Sequence, residues 1–229
     1  MYVLCLLFLS VLTAFADNLK ETSARLDAAA DVMKEIMAAP DKGIPQDLLA
    51  KANCVVIVPH LKKGAFIVGA QYGKGFVNCR KESGKAGWSA PAAIKIEGGS
   101  VGLQIGGQES DVVLLVMNEK GAERLMSNKF TLGGEGSVAA GPVGRSATAQ
   151  TDAAMTAEIL SYSRSRGVFA GLALTGATLR PDEEVNQILF GKKLTTKEIV
   201  DSNLKPPAAA AKLLAELNRY SSREKAADR

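Results

Sequence analysis

The chain has 229 residues, 47% of them hydrophobic, and a formal net charge of +4. This composition excludes both a disordered chain and one embedded in a membrane throughout, and the length is sufficient to bury a sizeable core. The modest net charge does not indicate nucleic acid as a partner.

The first sixteen residues form an apolar leader. Met1–Ala16 ends in Ala14-Phe15-Ala16, which is the pattern of a secretory signal with an A-x-A cleavage site. The leader is too short to span a bilayer, and no later segment is long and apolar enough to do so. Because no Lys or Arg precedes Lys20, the positive n-region of a signal is missing. We predict a cleaved signal, with an uncleaved apolar anchor as the alternative.

Two cysteines, Cys54 and Cys79, remain after removal of the leader. An even number of cysteines in an exported protein favours a disulfide. Each of the two adjoins a predicted strand. The sequence therefore predicts a Cys54–Cys79 disulfide, with two buried free thiols as the alternative.

An amphipathic helix is predicted over Asp17–Ala39, where Pro40 stops it. Its apolar residues recur at helical spacing: Leu19, Leu26, Ala30, Met33 and Met37. Such a helix could lie on a membrane, but its acids outnumber its bases. Packing onto the domain is the favoured interpretation. A second, short helix is predicted within Lys42–Asn53.

Strands dominate the middle of the chain. They are predicted in this order: Val55–Val58, Ala65–Tyr72, Phe76–Arg80, the glycine-rich stretch Trp88–Met117, Thr131–Thr151, Ile159–Arg164 and Val168–Leu179. Glycine inside a strand marks a bulge, a bend or a close backbone approach. His60 follows Pro59 and is interpreted as a turn residue at a strand end. One helix, Asn118–Asn128, interrupts the series.

Helices return at the C-terminus. Pro181 and the acids after it begin one helix, and Gly191 ends it. Thr195–Glu198 is a capping box, and an alanine-rich helix follows Pro206-Pro207. Strands joined by short turns favour antiparallel pairing. The predicted fold class is α+β, with an antiparallel, glycine-rich sheet that curls toward a barrel or sandwich and with N-terminal and C-terminal helices packed on it.

Motifs that suggest catalysis lack their structural context. Gly98–Gly102 matches G-x-S-x-G, but glycine-rich strand follows it and the single histidine, His60, lies upstream. Gly134–Ala139 matches G-x-G-x-x-A, but Gly141 and Pro142 prevent the helix that a dinucleotide site needs. One histidine and no C-x-x-C pair leave a metal site without ligands. We predict a protein that is not an enzyme and has no cofactor or metal.

A local surplus of positive charge remains as the functional signal. Between Cys54 and Lys95 there are seven basic residues and a single acid, Glu82. Basic residues beside aromatic ones are suited to anionic lipid headgroups. The candidate lipid-binding residues are Lys62, Lys63, Lys74, Arg80 and Lys81. The alternative is a solvated basic face without a ligand.

Several segments, taken together and in order, resemble the SYLF domain, a lipid-binding domain of bacteria and eukaryotes. They cover residues 44–191: IPQDLLAKANCVVIVP, KKGAFIVGAQYGKGFV, GWSAPAAIKI, GGSVGLQIGGQESDVVLLVMN, LGGEGSVAAGPVGRSATA and ILSYSRSRGVFAGLALTGATL, with an acidic helix ending in FG. The predicted regions are a signal at 1–16, an amphipathic helix at 17–43, a domain at 44–204 that resembles the SYLF domain, and a C-terminal helix and tail at 205–229.

The resemblance implies phospholipid binding without catalytic residues. In eukaryotic relatives it also implies phosphoinositide and actin binding. The export signal argues against actin and phosphoinositides here and favours an anionic envelope lipid such as phosphatidylglycerol or cardiolipin. The expected function is non-catalytic binding of anionic phospholipid at a bacterial cell envelope, with the protein exported and either periplasmic or associated with the envelope. The alternative is a structural or protein-interaction module of that envelope.

Overall fold

The computed structural model describes residues 2–39, 43–65, 69–81, 87–100, 106–143, 156–165, 168–171, 174 and 176–221. The helices are α1 (Tyr2–Ala38), α2 (Gln46–Lys51), α3 (Glu119–Leu125), α4 (Glu183–Phe190), α5 (Thr196–Asp201) and α6 (Ala211–Ser221). The strands are β1 (Cys54–Ala65), β2 (Gly69–Cys79), β3 (Ala92–Ser100), β4 (Gly106–Val116), β5 (Phe130–Thr131), β6 (Val138–Ala140), β7 (Ile159–Ser165), β8 (Val168–Gly171) and β9 (Thr178–Pro181).

The nine strands found among the described residues belong to one sheet. Its order is β5-β9-β3-β2-β1-β4-β7-β6, and β8 pairs with β7. The pairings are antiparallel except for the parallel pair β6–β7. The predicted α+β class with an antiparallel, curled sheet is confirmed.

The connection between β5 and β6 explains why the sheet curls. These strands stand at opposite ends of the order but are joined by the short segment Leu132–Ser137. Eight strands laid flat would separate their ends by roughly 34 Å, whereas the chain from Thr131 to Val138 reaches at most about 25 Å. In addition, Leu132 pairs with Gly136 and exchanges backbone hydrogen bonds of 2.8 Å with Gly176 and Ala177. The two ends of the sheet must therefore approach each other.

Both faces of the central strands are buried, so their sequence is apolar without alternation. On β4, Val113 and Leu115 face a core shared with α1, α2, α4 and α6. Val112 and Leu114 face a second core on the concave side, which α3 and α5 cover. The last part of the predicted strand stretch Trp88–Met117 is thus a fully buried strand.

Two helix end signals predicted from the sequence are confirmed, and a third helix begins with a cap that was not predicted. Asn118 caps α3 through a 2.8 Å bond from the Gly121 N–H. Gly191 ends α4 with a φ of 70°, and Thr195 and Glu198 form the predicted capping box of α5. The predicted helix Asp17–Ala39 is part of α1, and its apolar face packs onto the domain through buried side chains: Leu26, Ala29, Ala30, Met33 and Ile36.

Strand β1 does not end at Pro59 as predicted but continues through a bulge. Pro59 and His60 together lie opposite the single residue Asp111 of β4, between the pairs Val58–Val112 and Leu61–Ser110. A bulge admits proline, which cannot donate to a central ladder. His60 has a φ of 55°, which is uncommon outside glycine. The Asp111 Oδ1 atom accepts a 3.0 Å hydrogen bond from the His60 N–H and stabilises this conformation.

The bulge accounts for the glycines of the Tyr72-Gly73-Lys74-Gly75 segment. A Cβ on Gly75 would lie 2.1 Å from the Ile57 carbonyl oxygen, and one on Gly73 would lie 2.7 Å from Val58 Cγ1. The bulged strand therefore occupies the space that side chains on β2 would need. Tyr72 and Lys74, which alternate with these glycines along β2, point to the other face of the sheet.

The Cys54–Cys79 disulfide is confirmed. The two cysteines are directly opposite each other on β1 and β2, with Cα atoms 3.9 Å apart. Both side chains are buried in the concave core. Residues 144–151 of the predicted strand region Thr131–Thr151 lie outside the described residues.

We expect Gly75→Ala to lower the free energy of unfolding by about 3 kcal/mol, because the added methyl group must displace the backbone of β1. Gly64→Ala is the matched control, since nothing lies within 4 Å of its Cβ position. Urea unfolding of both variants measures the difference. Equal stability of the two variants would contradict the role given to the bulge.

We expect the double substitution Cys54→Ala and Cys79→Ala to cost about 3 kcal/mol of stability through loss of loop closure. Urea unfolding of this variant and of the wild type, each with and without reductant, measures the effect. Reductant should lower the midpoint of the wild type only. A reductant-insensitive wild type would argue against the disulfide.

Candidate headgroup-binding face

The bulge determines the face to which each lysine of β1 belongs. Before the bulge, the odd residues Val55 and Ile57 face the helices. After it, Leu61 faces the concave core, so Lys62 lies on the helix side. Lys62 is paired across the sheet with Tyr72, and it is exposed. The structure therefore brings Lys62, Tyr72 and Lys74 to one face.

These residues border a groove between α1 and the strands β1 and β2, which we name the α1 groove. It has a volume of about 430 Å³. Its lining residues are Glu21, Ala24, Arg25, Ala28, Pro59, His60, Lys62, Tyr72, Gly73 and Lys74. The lining contains three cationic side chains, Arg25, Lys62 and Lys74, and one carboxylate, that of Glu21. The groove therefore has a positive lining with aliphatic and aromatic walls.

The three cations differ in how far they are already neutralised. Arg25 pairs with Glu21 at 2.5 Å, and Lys74 Nζ lies 3.3 Å from Asp182 Oδ2. Lys62 makes no ion pair with any described residue. Tyr72 is 47% exposed, although it lies within a central strand. Lys62 and Tyr72 are thus both exposed on this face. Directly opposite Lys62 on β4 lies Glu109, which hydrogen-bonds the His60 ring.

Lys63 points the opposite way from Lys62. It follows Leu61 by two residues on β1 and therefore lies on the concave side of the sheet. Its cross-strand neighbours there are Gln71 of β2 and Gln108 of β4. The side chain is half-buried, and burial lowers the pKa of its ammonium group. The structure thus separates two adjacent candidate residues.

Arg80 and Lys81 lie at the other end of β2, roughly 20 Å from Lys74 along the strand. The Arg80 guanidinium donates to the carbonyl oxygens of Leu49, Ala50 and Ala52, at 3.3, 3.4 and 3.4 Å, where α2 ends. Cations stabilise helix C-termini in this way.

The same Arg80 group stacks 4.0 Å from the centre of the Trp88 ring. The Trp88 Nε1–H donates to Ser221 Oγ at the end of α6, at 2.9 Å. Arg80 therefore links α2 to α6 through Trp88. These contacts support a structural role for Arg80 and not a role in ligand binding.

A second groove lies beside the first, and sequence reasoning missed it. We name it the split groove, because one wall is basic and the other acidic. It has a volume of about 460 Å³ and is lined by Tyr72, Lys74, Lys95, Asn128, Arg180, Pro181, Asp182, Glu183 and Glu184. Arg180 reaches it because β9 pairs with β3. No local motif in the sequence indicates that pairing.

In the described part of the chain, no cluster of His, Cys, Asp and Glu is arranged to hold a metal ion. No helix there combines the length and apolar character needed to cross a membrane.

Comparison with known proteins identifies a family. Residues 97–220, more than half of the chain, match the Ysc84 family, described as "Las17-binding protein actin regulator". The rat SH3 domain-containing YSC84-like protein 1 is 34% identical over 209 residues, which cover 89% of this chain and 60% of the relative. LAS seventeen-binding protein 3 of Saccharomyces cerevisiae is 36% identical over 173 residues, 74% of this chain and 37% of the relative. The chain thus spans 60% or less of the length of these relatives.

These names correct one prediction. The export signal was taken to argue against actin as a partner, but the family that matches is described as an actin regulator, and this finding contradicts the prediction. The yeast relative is named as a binding protein and the rat relative as an SH3 domain-containing protein, and neither name is that of an enzyme. The resemblance to the SYLF domain is confirmed: the chain belongs to the Ysc84 family of SYLF domains.

Proposed function

We propose that this chain is a non-catalytic module that binds anionic phospholipid surfaces through the α1 groove. One observation carries the proposal: Lys62 and Tyr72 are direct cross-strand neighbours, both exposed, at a groove whose cations outnumber its acids. The location at a bacterial envelope and the export of the chain remain part of the proposal. Phosphatidylglycerol and cardiolipin are the envelope lipids that fit it.

The chemistry of the two residues is complementary. A lysine or arginine near an anionic membrane surface contributes about 1 kcal/mol. Lys62 can make this contribution without breaking an ion pair to a described residue. Tyrosine suits the membrane interface because its ring is apolar and its hydroxyl is polar. Lys74 and Arg25 add charge on either side, although each is already paired with an acid.

A second candidate function is binding to actin or to an actin-regulating protein. The description of the family and the name of the yeast relative favour it. The chain matches only part of those relatives, so the activity of the whole proteins does not transfer directly. This candidate predicts that the purified chain sediments with actin filaments.

We expect the full chain to sediment with vesicles that contain phosphatidylglycerol and to bind pure phosphatidylcholine vesicles less. Salt should weaken this binding, because exposed charges are screened over about 8 Å at physiological ionic strength. Lys62→Gln should weaken it about fivefold, which corresponds to about 1 kcal/mol. Tyr72→Ala should weaken it further.

Lys81→Gln is the matched control, because it removes the same charge at the far end of β2 and should leave vesicle binding unchanged. Binding that depends on Lys81 and not on Lys62 would contradict the proposed site. If no vesicle retains the chain while actin filaments do, the second candidate function replaces the first.

A further inference from the structure

The basic wall of the split groove is a row of three cations on three adjacent strands. Lys74 of β2 lies directly opposite Lys95 of β3, and Lys95 lies directly opposite Arg180 of β9. Like charges directly opposite each other destabilise a sheet. The positive charge of this row is only partly neutralised by acids. Lys95 Nζ is 4.0 Å from Glu97, and Arg180 makes no ion pair with a described residue. An anion bound between these side chains would relieve the repulsion.

The opposite wall consists of three acids at the start of α4: Asp182, Glu183 and Glu184. Acids are favourable at a helix N-terminus, which explains their presence in part. Asp182 is 4% exposed, and its Oδ2 atom accepts no hydrogen bond, although Lys74 Nζ lies 3.3 Å away. Glu183 and Glu184 are exposed and form no ion pair within the described part of the chain.

The two walls together restrict the ligand. A simple anion would meet the carboxylates opposite the basic row, and a simple cation would meet the row itself. A group with a phosphate at one end and an ammonium at the other satisfies both walls. We infer that the split groove binds the phosphoethanolamine headgroup of a phospholipid, with the phosphate at Lys95 and Arg180 and the ammonium at Glu183 and Glu184.

This inference rests on the proposed function in one respect, namely that the headgroup belongs to a membrane lipid. It concerns a different groove with a different charge balance. The α1 groove has three cations and one acid, whereas the split groove has three of each. Tyr72 and Lys74 line both grooves, so the two headgroups would lie side by side at one surface.

The test uses the full chain and the soluble headgroup glycerophosphoethanolamine, with glycerophosphoglycerol as the anionic comparison. Binding is followed by NMR chemical-shift titration. We expect glycerophosphoethanolamine to bind more tightly. The double variant Glu183→Gln/Glu184→Gln should weaken it about fivefold, the effect of losing about 1 kcal/mol of ion pairing. Arg180→Gln should weaken the binding of both ligands, because each of them carries a phosphate group.

Matched controls remove the same charges elsewhere. Glu119→Gln/Glu123→Gln neutralises two exposed acids on α3, and Lys205→Gln removes an exposed cation outside both grooves. Neither control should change the titration. Equal binding of the two ligands, or an ethanolamine preference that survives Glu183→Gln/Glu184→Gln, would overturn the inference.

Failure of this inference is distinguishable from failure of the proposed function. The vesicle experiment with phosphatidylglycerol depends on Lys62, which does not line the split groove. Loss of the ethanolamine preference with intact Lys62-dependent vesicle binding would overturn the inference alone. Selective glycerophosphoethanolamine binding without binding to anionic vesicles would support the inference and contradict the proposed function.

Discussion

The carboxylate of Asp111 is the interaction on which the arrangement of the basic face depends. Its side chain is almost fully buried, and its Oδ1 atom accepts the His60 N–H at the bulge of β1. Its Oδ2 atom accepts bonds of 2.8 and 2.5 Å from Arg164 of β7, and Arg164 also contacts Glu35 of α1. One acid thus joins the bulge, the neighbouring strand and the long helix. Because the removal of one partner would leave buried charge uncompensated, this network should tolerate substitution poorly.

The bulge has consequences on both faces of the sheet. On the concave side, it fills the space beside Gly73 and Gly75, which is why those positions lack side chains. On the helix side, it places Lys62 beside Tyr72. The helices cover most of that side. The candidate binding surfaces lie where α1 and α4 leave the ends of β1, β2 and β3 open.

Sequence reasoning correctly predicted the features that are determined by residues close together in the chain. The helix that begins after Asn118, the glycine stop at Gly191 and the Thr195 capping box depend on neighbours in the chain. The cysteine pair and the family resemblance were also correct. The argument from compartment against actin was wrong, since a leader sequence says nothing about what the family's binding surface recognises.

Sequence reasoning failed where the outcome depends on register. Pro59 is a typical strand terminator, and nothing local shows that a buried Asp111, fifty-two residues later, would support a bulge there. Without the bulge, the alternation of β1 assigns Lys62 and Lys63 to the wrong faces. Arg180 joins Lys95 only through pairing between distant strands. The charge cluster in the sequence likewise could not show that Arg80 is engaged with α2 and Trp88.

The central claim is that the face around Lys62 contacts the membrane. Lysine acetylation followed by mass spectrometry, with and without phosphatidylglycerol vesicles, tests it residue by residue on the unmodified protein. The account predicts that vesicles slow acetylation of Lys62 and leave Lys81 and Lys205 unchanged. Protection of Lys81 or Lys205 without protection of Lys62 would contradict it.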